Sequence, residues 1–182
     1  MLLGVNVMLL AALAAAQTTK DVELSVRDVV SMESAADVTY AYATKAVHHS
    51  GVLAMLAAAV AKADALGEPE CVVIVDVSGE VLGKIRMTGA KFLSLQTAHA
   101  KARSAASSGR PTHVLDEALR APLAAATHGD LTALPGGLPI RIDGILVGGV
   151  GVGSAHGRTD LQVANAALLA IGALTYDGDD SS

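Results

Sequence analysis

Cys71-Val72-Val73-Ile74-Val75-Asp76-Val77-Ser78-Gly79-Glu80-Val81-Leu82-Gly83-Lys84-Ile85-Arg86-Met87 reads as two strands joined by a turn. Cys71 to Val75 is a β-branched apolar run, Val77 to Glu80 supplies turn residues, and Val81 to Met87 resumes an extended pattern. A second unit of the same kind lies downstream. There Pro135-Gly136-Gly137 is a turn, Leu138 to Ile142 a strand, Asp143-Gly144 a hairpin signal and Ile145 to Val152 another apolar strand. Hairpins pair antiparallel, whereas parallel neighbours need a long crossover, so the class is α+β with an antiparallel sheet of four or more strands.

Helical segments surround the two ribbons. Val52, Leu53, Leu56, Val60 and Ala63 recur at helical spacing, and Gly67 with Pro69 ends that helix. Phe92 to Ser107 is an Ala-rich helix broken by Gly109-Arg110-Pro111, and Thr112 is placed to cap a further helix over His113 to Ala121. After a loop from Gly153 to Thr159, Asp160 to Leu174 forms the last helix. Upstream, Val26 to Ala46 has a helical pattern with Ser34 or Asp37 as caps.

Residues 1–50 are read as an N-terminal extension, 51–176 as the domain and 177–182 as an acidic tail. Leu2 to Ala16 is an uncharged apolar run ending in Ala14-Ala15-Ala16, the form of a secretory signal or of a buried helix. The protein is secreted on the first reading and cytoplasmic on the second. The run is shorter than the roughly 20 residues of a membrane span, so no transmembrane span is expected.

Composition narrows the function. A net charge of −5, no Trp, one Phe and three Tyr leave neither a phosphate-attracting surface nor stacking platforms, so nucleic acid is not an expected partner. Cys71 is the single cysteine and lies within an apolar strand, which makes it a small core residue and excludes an internal disulfide. The run Gly148-Gly149-Val150-Gly151-Val152-Gly153 lacks the spacing of a phosphate loop, and its alternation fits a strand. Asp76 closes a strand at a turn, where its carboxylate accepts backbone N–H bonds.

Four blocks resemble the GlcG/HbpS family. They are Val75-Asp76-Val77-Ser78-Gly79-Glu80-Val81-Leu82 with Arg86-Met87-Thr88-Gly89-Ala90; Ala100-Lys101-Ala102-Arg103-Ser104-Ala105 with Arg110-Pro111-Thr112; Leu134-Pro135-Gly136-Gly137-Leu138-Pro139-Ile140 with Asp143-Gly144; and Val147 to Gly153 with Asp160. The family includes a glycolate-operon protein, a secreted haem-binding protein and the C-terminal domain of some corrinoid adenosyltransferases. The resemblance spans about residues 51 to 174 in one order and spacing. It implies an α-β-α sandwich with a central antiparallel sheet of four to five strands, assembly from dimer to octamer, and binding of haem, a related tetrapyrrole or iron at a subunit contact. Two departures stand out: Asp160 is followed by Leu161 rather than an acid, and Arg86-Met87 by Thr88 rather than Asp. Both remove a carboxylate that would favour a cation or a substrate amine.

The usual axial ligand of haem iron is a neutral imidazole, and His99, His113, His48 and His49 are the candidates. His48 and His49 are also the candidate metal ligands. Arg86 and Lys101 are the cations available for propionates. The resemblance adds Thr112, since members differ between threonine and histidine as ligand. Lys101 and Arg103 lie two apart on one helix and point to different faces. His156 and Asp160, in or beside the loop Gly153-Ser154-Ala155-His156-Gly157, are the catalytic candidates under a second reading, a cofactor-free enzyme acting on a small organic acid. A third reading is a scaffolding subunit of a homo-oligomer packed through the Ala-rich helices.

Overall fold

The computed structural model describes residues 42–154 and 156–176. The chain divides into units 1–44 and 45–182, and the account below concerns the second. The readings made for residues 1–41 and 177–182 lie outside the described residues.

The order of elements is α1 (His49–Leu66), β1 (Cys71–Val75), β2 (Val81–Arg86), α2 (Phe92–Ser108), a 3-10 turn (Thr112–Val114), α3 (Glu117–Ala126), β3 (Gly137–Ile142), β4 (Ile145–Gly153) and α4 (Gly157–Leu169). Among the described residues the strands form one antiparallel sheet of four, in the order β2-β1-β4-β3, within the expected four to five. Cys71 to Val75 pairs with both β2 and β4, so the two hairpins are joined through β1 and β4. Central β1 is buried on both faces, which is why it reads as a continuous apolar run rather than an alternation.

The sheet separates two apolar layers. On one side Val72, Ile74, Leu138, Ile140, Val150 and Val152 pack with Val52, Met55, Ala59 and Ala63 of α1 and Val163, Ala164, Ala167 and Leu168 of α4. On the other, Cys71, Val73 and Val75 meet Ala98, Ala102 and Ala106 of α2. This is the α-β-α sandwich. Helix α1 is long and apolar enough to cross a membrane by length and composition, and one face of it, Val52, Met55, Ala59 and Ala63, is buried in the core.

The glycine run is explained by the approach of α2. A Cβ on Gly149 would collide with Ala102 O, one on Gly151 with Ala98 O, and one on Gly153 would lie 2.8 Å from Ser94 O. Ser94, Ala98 and Ala102 are one i, i+4 ridge of α2, so alternate glycines of β4 form the groove that the ridge enters. Alanines on the helix and glycines on the strand are two halves of one close contact.

Several sequence expectations are corrected. Thr112 does not cap a helix; it is the first residue of a 3-10 turn, and α3 begins at Glu117 with Asp116 Oδ1 accepting from Ala118 N at 2.9 Å. Helix α3 then runs through exposed Pro122, where the missing N–H forfeits a single ladder bond. The last helix starts at Gly157 and ends at Leu169, so residues 157–159, read as loop, are its first turn. Residues 42–46, read as the end of a helix, have no regular structure.

Candidate functional site

Helix α2 carries the chemistry, and its two flanks open on two clefts. The cleft on the α4 flank measures about 270 Å3 and is lined by Leu93, Ser94, Thr97, Lys101, Leu134, Pro135, Ser154, Gly157 and Asp160. Lys101 projects from the middle of α2 and Asp160 from the first turn of α4, and their side chains are only 5% and 4% exposed. Lys101 Nζ donates to Asp160 Oδ2 at 2.6 Å and to Val152 O at 2.7 Å. Ser154, just past β4, donates its hydroxyl to Glu70 Oε1 at 2.8 Å and lies 3.5 Å from Asp160 Oδ1. Glu70 is fully buried, and its Oε2 has no hydrogen-bond partner among the described residues.

Burial sets the electrostatics of this cluster. It pushes the Glu70 carboxyl up from 4.5 to about 7, the Ser154 bond drawing it down and Asp160 raising it again. Asp160 is also raised by burial, against the pull of the Lys101 ammonium. Near neutrality the cluster therefore holds an ammonium, a carboxylate and a second carboxyl poised between its acid and base forms.

Sequence reading had singled out Lys101 and Asp160 for different roles, and the structure brings them into one ion pair. It missed Glu70. The available signal is parity: extending the alternation of β1 back by one residue puts Glu70 on the same side as buried Val72 and Ile74. His156 is exposed and stands at the N-cap of α4 without a side-chain capping bond.

The second cleft, about 300 Å3, lies on the β2 flank and is lined by Val73, Val81, Lys84, Phe92, Leu95, Gln96 and His99. Arg86 pairs with Cys71 and Lys84 with Val73, so both cations sit on the α2 side of edge strand β2. His99 Nε2 is buried without a hydrogen-bond partner among the described residues, while Phe92 is 72% exposed. Apolar side chains, Lys84 and His99 thus line one groove, and Arg86 lies on the same face of β2 as Lys84. The two clefts have no lining residue in common.

The remaining candidates are dispersed. Thr112 is fully buried; its Oγ1 donates to Leu134 O at 2.6 Å and accepts from Gly137 N at 3.1 Å, which ties β3 to the preceding loop. His113 is half-buried with both ring nitrogens lacking partners among the described residues. His48 caps α1 by accepting from Ser50 N at its Nδ1, which also lies 2.8 Å from Ser50 Oγ, and its ring is tilted by 40° against that of His49 with centroids 3.8 Å apart. No group of three or more metal-ligating side chains occurs among the described residues. Asp76 Oδ1 accepts from Ser78 N and Glu80 N at 2.8 and 3.0 Å, the turn role expected of it.

Comparison with known proteins adds relatives to this geometry. The corrinoid adenosyltransferase PduO of Salmonella typhimurium is 32% identical over 124 residues, covering 65% of this chain and 37% of PduO. The chain therefore matches little more than a third of that relative's length. Among solved structures, a PduOC:heme complex superposes with a TM-score of 0.68 at 29% identity, over 73% of this chain and 100% of the other. The crystal structure of HbpS does so with a TM-score of 0.66 at 29% identity, over 73% and 95%. Residues 47–169 match the family model of the haem-degrading protein HbpS-like group, and with the sandwich, hairpin order and glycine groove described above this chain belongs to the HbpS-like family.

Proposed function

We propose that the domain binds haem in the groove between α2 and β2, with a second copy of the chain covering the part of the ring that one groove leaves exposed. The observation that carries the reading is His99, which lines a cleft walled by Phe92 and Leu95 and whose buried Nε2 has no hydrogen-bond partner among the described residues. A buried polar atom left unpaired costs roughly 1–3 kcal/mol, and a bond from His99 to the iron of a bound haem would offset that. Lys84 and Arg86 on β2 are the cations for the propionates. Membership in the HbpS-like family and the similarity to a PduOC:heme complex support the choice of ligand.

The groove of about 300 Å3 is at the lower end of the roughly 300–1,000 Å3 of small-molecule sites, which supports sharing the ring between subunits. Bound haem would supply iron chemistry; the chain's own residues orient the ring, shield one face from water and compensate its carboxylates. Lys101, paired with Asp160 in the other cleft, has no part in this reading. His113, whose ring nitrogens likewise lack partners among the described residues, is the alternative residue that would hold the iron.

Titration of the full chain with haem tests the proposal. A Soret band distinct from that of free haem is expected, lost or shifted in His99→Ala and retained in His113→Ala, with light scattering reporting a multimer of the haem-loaded chain. An unchanged free-haem spectrum with the wild-type protein overturns haem binding. An unchanged spectrum in His99→Ala overturns the ligand assignment.

A further inference from the structure

The cluster on the α4 flank exceeds what the fold requires. A structural ion pair needs Lys101 and Asp160 alone, yet Ser154 and buried Glu70 extend it inward, and Lys101, Ser154 and Asp160 all line an open cleft. An ammonium has three N–H donors. Two of those on Lys101 are engaged by Asp160 Oδ2 and Val152 O, which leaves the third for the cleft. Ser154 Oγ and Lys101 Nζ lie beside the two oxygens of the same Asp160 carboxylate, 3.5 and 2.6 Å away. A hydroxyl backed by a carboxyl and an ammonium donor thus converge on one small space.

We propose that this cleft is a second functional site, which takes a small carbonyl compound and removes and returns a proton on the carbon next to the carbonyl group. The third N–H of Lys101 donates to the carbonyl oxygen. The C–H bond breaks, its electron pair becomes the enolate double bond, and the carbonyl π pair moves to the oxygen held by Lys101. Ser154 Oγ takes the proton while its own passes to Glu70 Oε1, and the reverse steps return it. No oxidant or cofactor enters the balance.

The surroundings fit that substrate class. Leu93, Leu134 and Pro135 give the cleft apolar walls, Ser94 and Thr97 add polar groups, and about 270 Å3 limits the occupant to a small molecule. Asp160 already neutralises Lys101, so the site suits a carbonyl acceptor better than a free anion. Glu70 is in reach of its task near neutral pH: with a carboxyl held at about 7 it is largely a base at pH 8. The charged groups facing it are Asp160, which raises it, and Lys101, which lowers it; neighbouring Cys71 is a buried thiol raised in turn by burial. Its backbone N–H meets Met87 Sδ, which carries no charge. Ser154 and Lys101 are the catalytic residues in this scheme, and Glu70 acts through Ser154.

The test is hydrogen exchange in D2O. The full chain is mixed with hydroxyacetone, butanone or dihydroxyacetone, all uncharged, and loss of the proton signal next to the carbonyl is followed by NMR from pH 5.5 to 8.5 against buffer alone. Exchange above the buffer rate is expected with at least one probe, rising through about pH 7. Ser154→Ala and Glu70→Gln should each lower it by about 100-fold or more, and residual exchange in Glu70→Gln should lose the inflection. Circular dichroism establishes that each variant is folded; Ser154→Ala removes a half-buried hydroxyl only and decides the matter should Glu70→Gln fail to fold. Buffer-level exchange with all three probes overturns the proposal, as does a wild-type rate and pH profile in Ser154→Ala.

Discussion

Replacing Lys101 by Met removes the ammonium and leaves Asp160 as a carboxylate buried without a counter-charge. Lys101 makes two charge-assisted bonds at 2.6 and 2.7 Å, and both side chains of the pair are about 5% exposed or less. Such bonds contribute roughly 1.5–3 kcal/mol each, and breaking one side of a buried pair costs about 3–5 kcal/mol. The expected loss at pH 8 is therefore about 4 kcal/mol, which at a urea dependence of about 2 kcal/mol/M lowers the midpoint by about 2 M. The chain has no Trp, so the transition is followed by far-UV circular dichroism. Burial raises Asp160 and Lys101 holds it down, so without Lys101 the carboxyl rises further and binds a proton on acidification. A group raised by folding favours the native state at low pH, and the deficit of Lys101→Met should shrink between pH 8 and pH 5. The double variant Lys101→Met, Asp160→Leu removes both charges and should recover most of the loss. A single-variant loss below about 1 kcal/mol, the worth of an exposed pair, or a loss equal at both pH values, would refute the reasoning.

Three further outcomes follow from the same geometry. In the wild type the raised Glu70 carboxyl favours folding below about 4.5 and loses that contribution as pH rises towards about 7; thermal melts across this range should fall, and Glu70→Gln should flatten the slope, leaving only the part due to Asp160. Gly151→Ala drives a methyl group into Ala98 O and to 2.5 Å from Ala102 N, overpacking that costs about 1–3 kcal/mol or more and is read as a lower urea midpoint. Thr112→Val deprives the buried Gly137 N–H of its acceptor and should cost about 1–3 kcal/mol in urea unfolding, while leaving the haem spectrum unchanged; a lost Soret band would make Thr112 a ligand instead.

The ribbons and most helix positions were legible because their signals are local. The β-branched run of β1, the turn at Asp76 and the Asp143-Gly144 signal each act within a few residues, through backbone preferences that no distant group overrides. Thr112 shows where this fails. Its hydroxyl has equal chemical claim to a helix cap and to a distant backbone N–H, and the approach of Gly137, 25 residues on, decides between them.

Sequence alone determined the antiparallel hairpin layout, the Ala-rich helices and the blocks that mark the family, since turn chemistry, apolar periodicity and spacing are written along the chain. Tertiary structure decided what the glycines of β4 are for, because their necessity comes from carbonyls of α2. It also decided the partners of Lys101 and Ser154, which lie 59 and 84 residues away. A side chain's charge and reach are local properties; its partner, its burial and the proton it holds are fixed when remote segments exclude water from the same small volume.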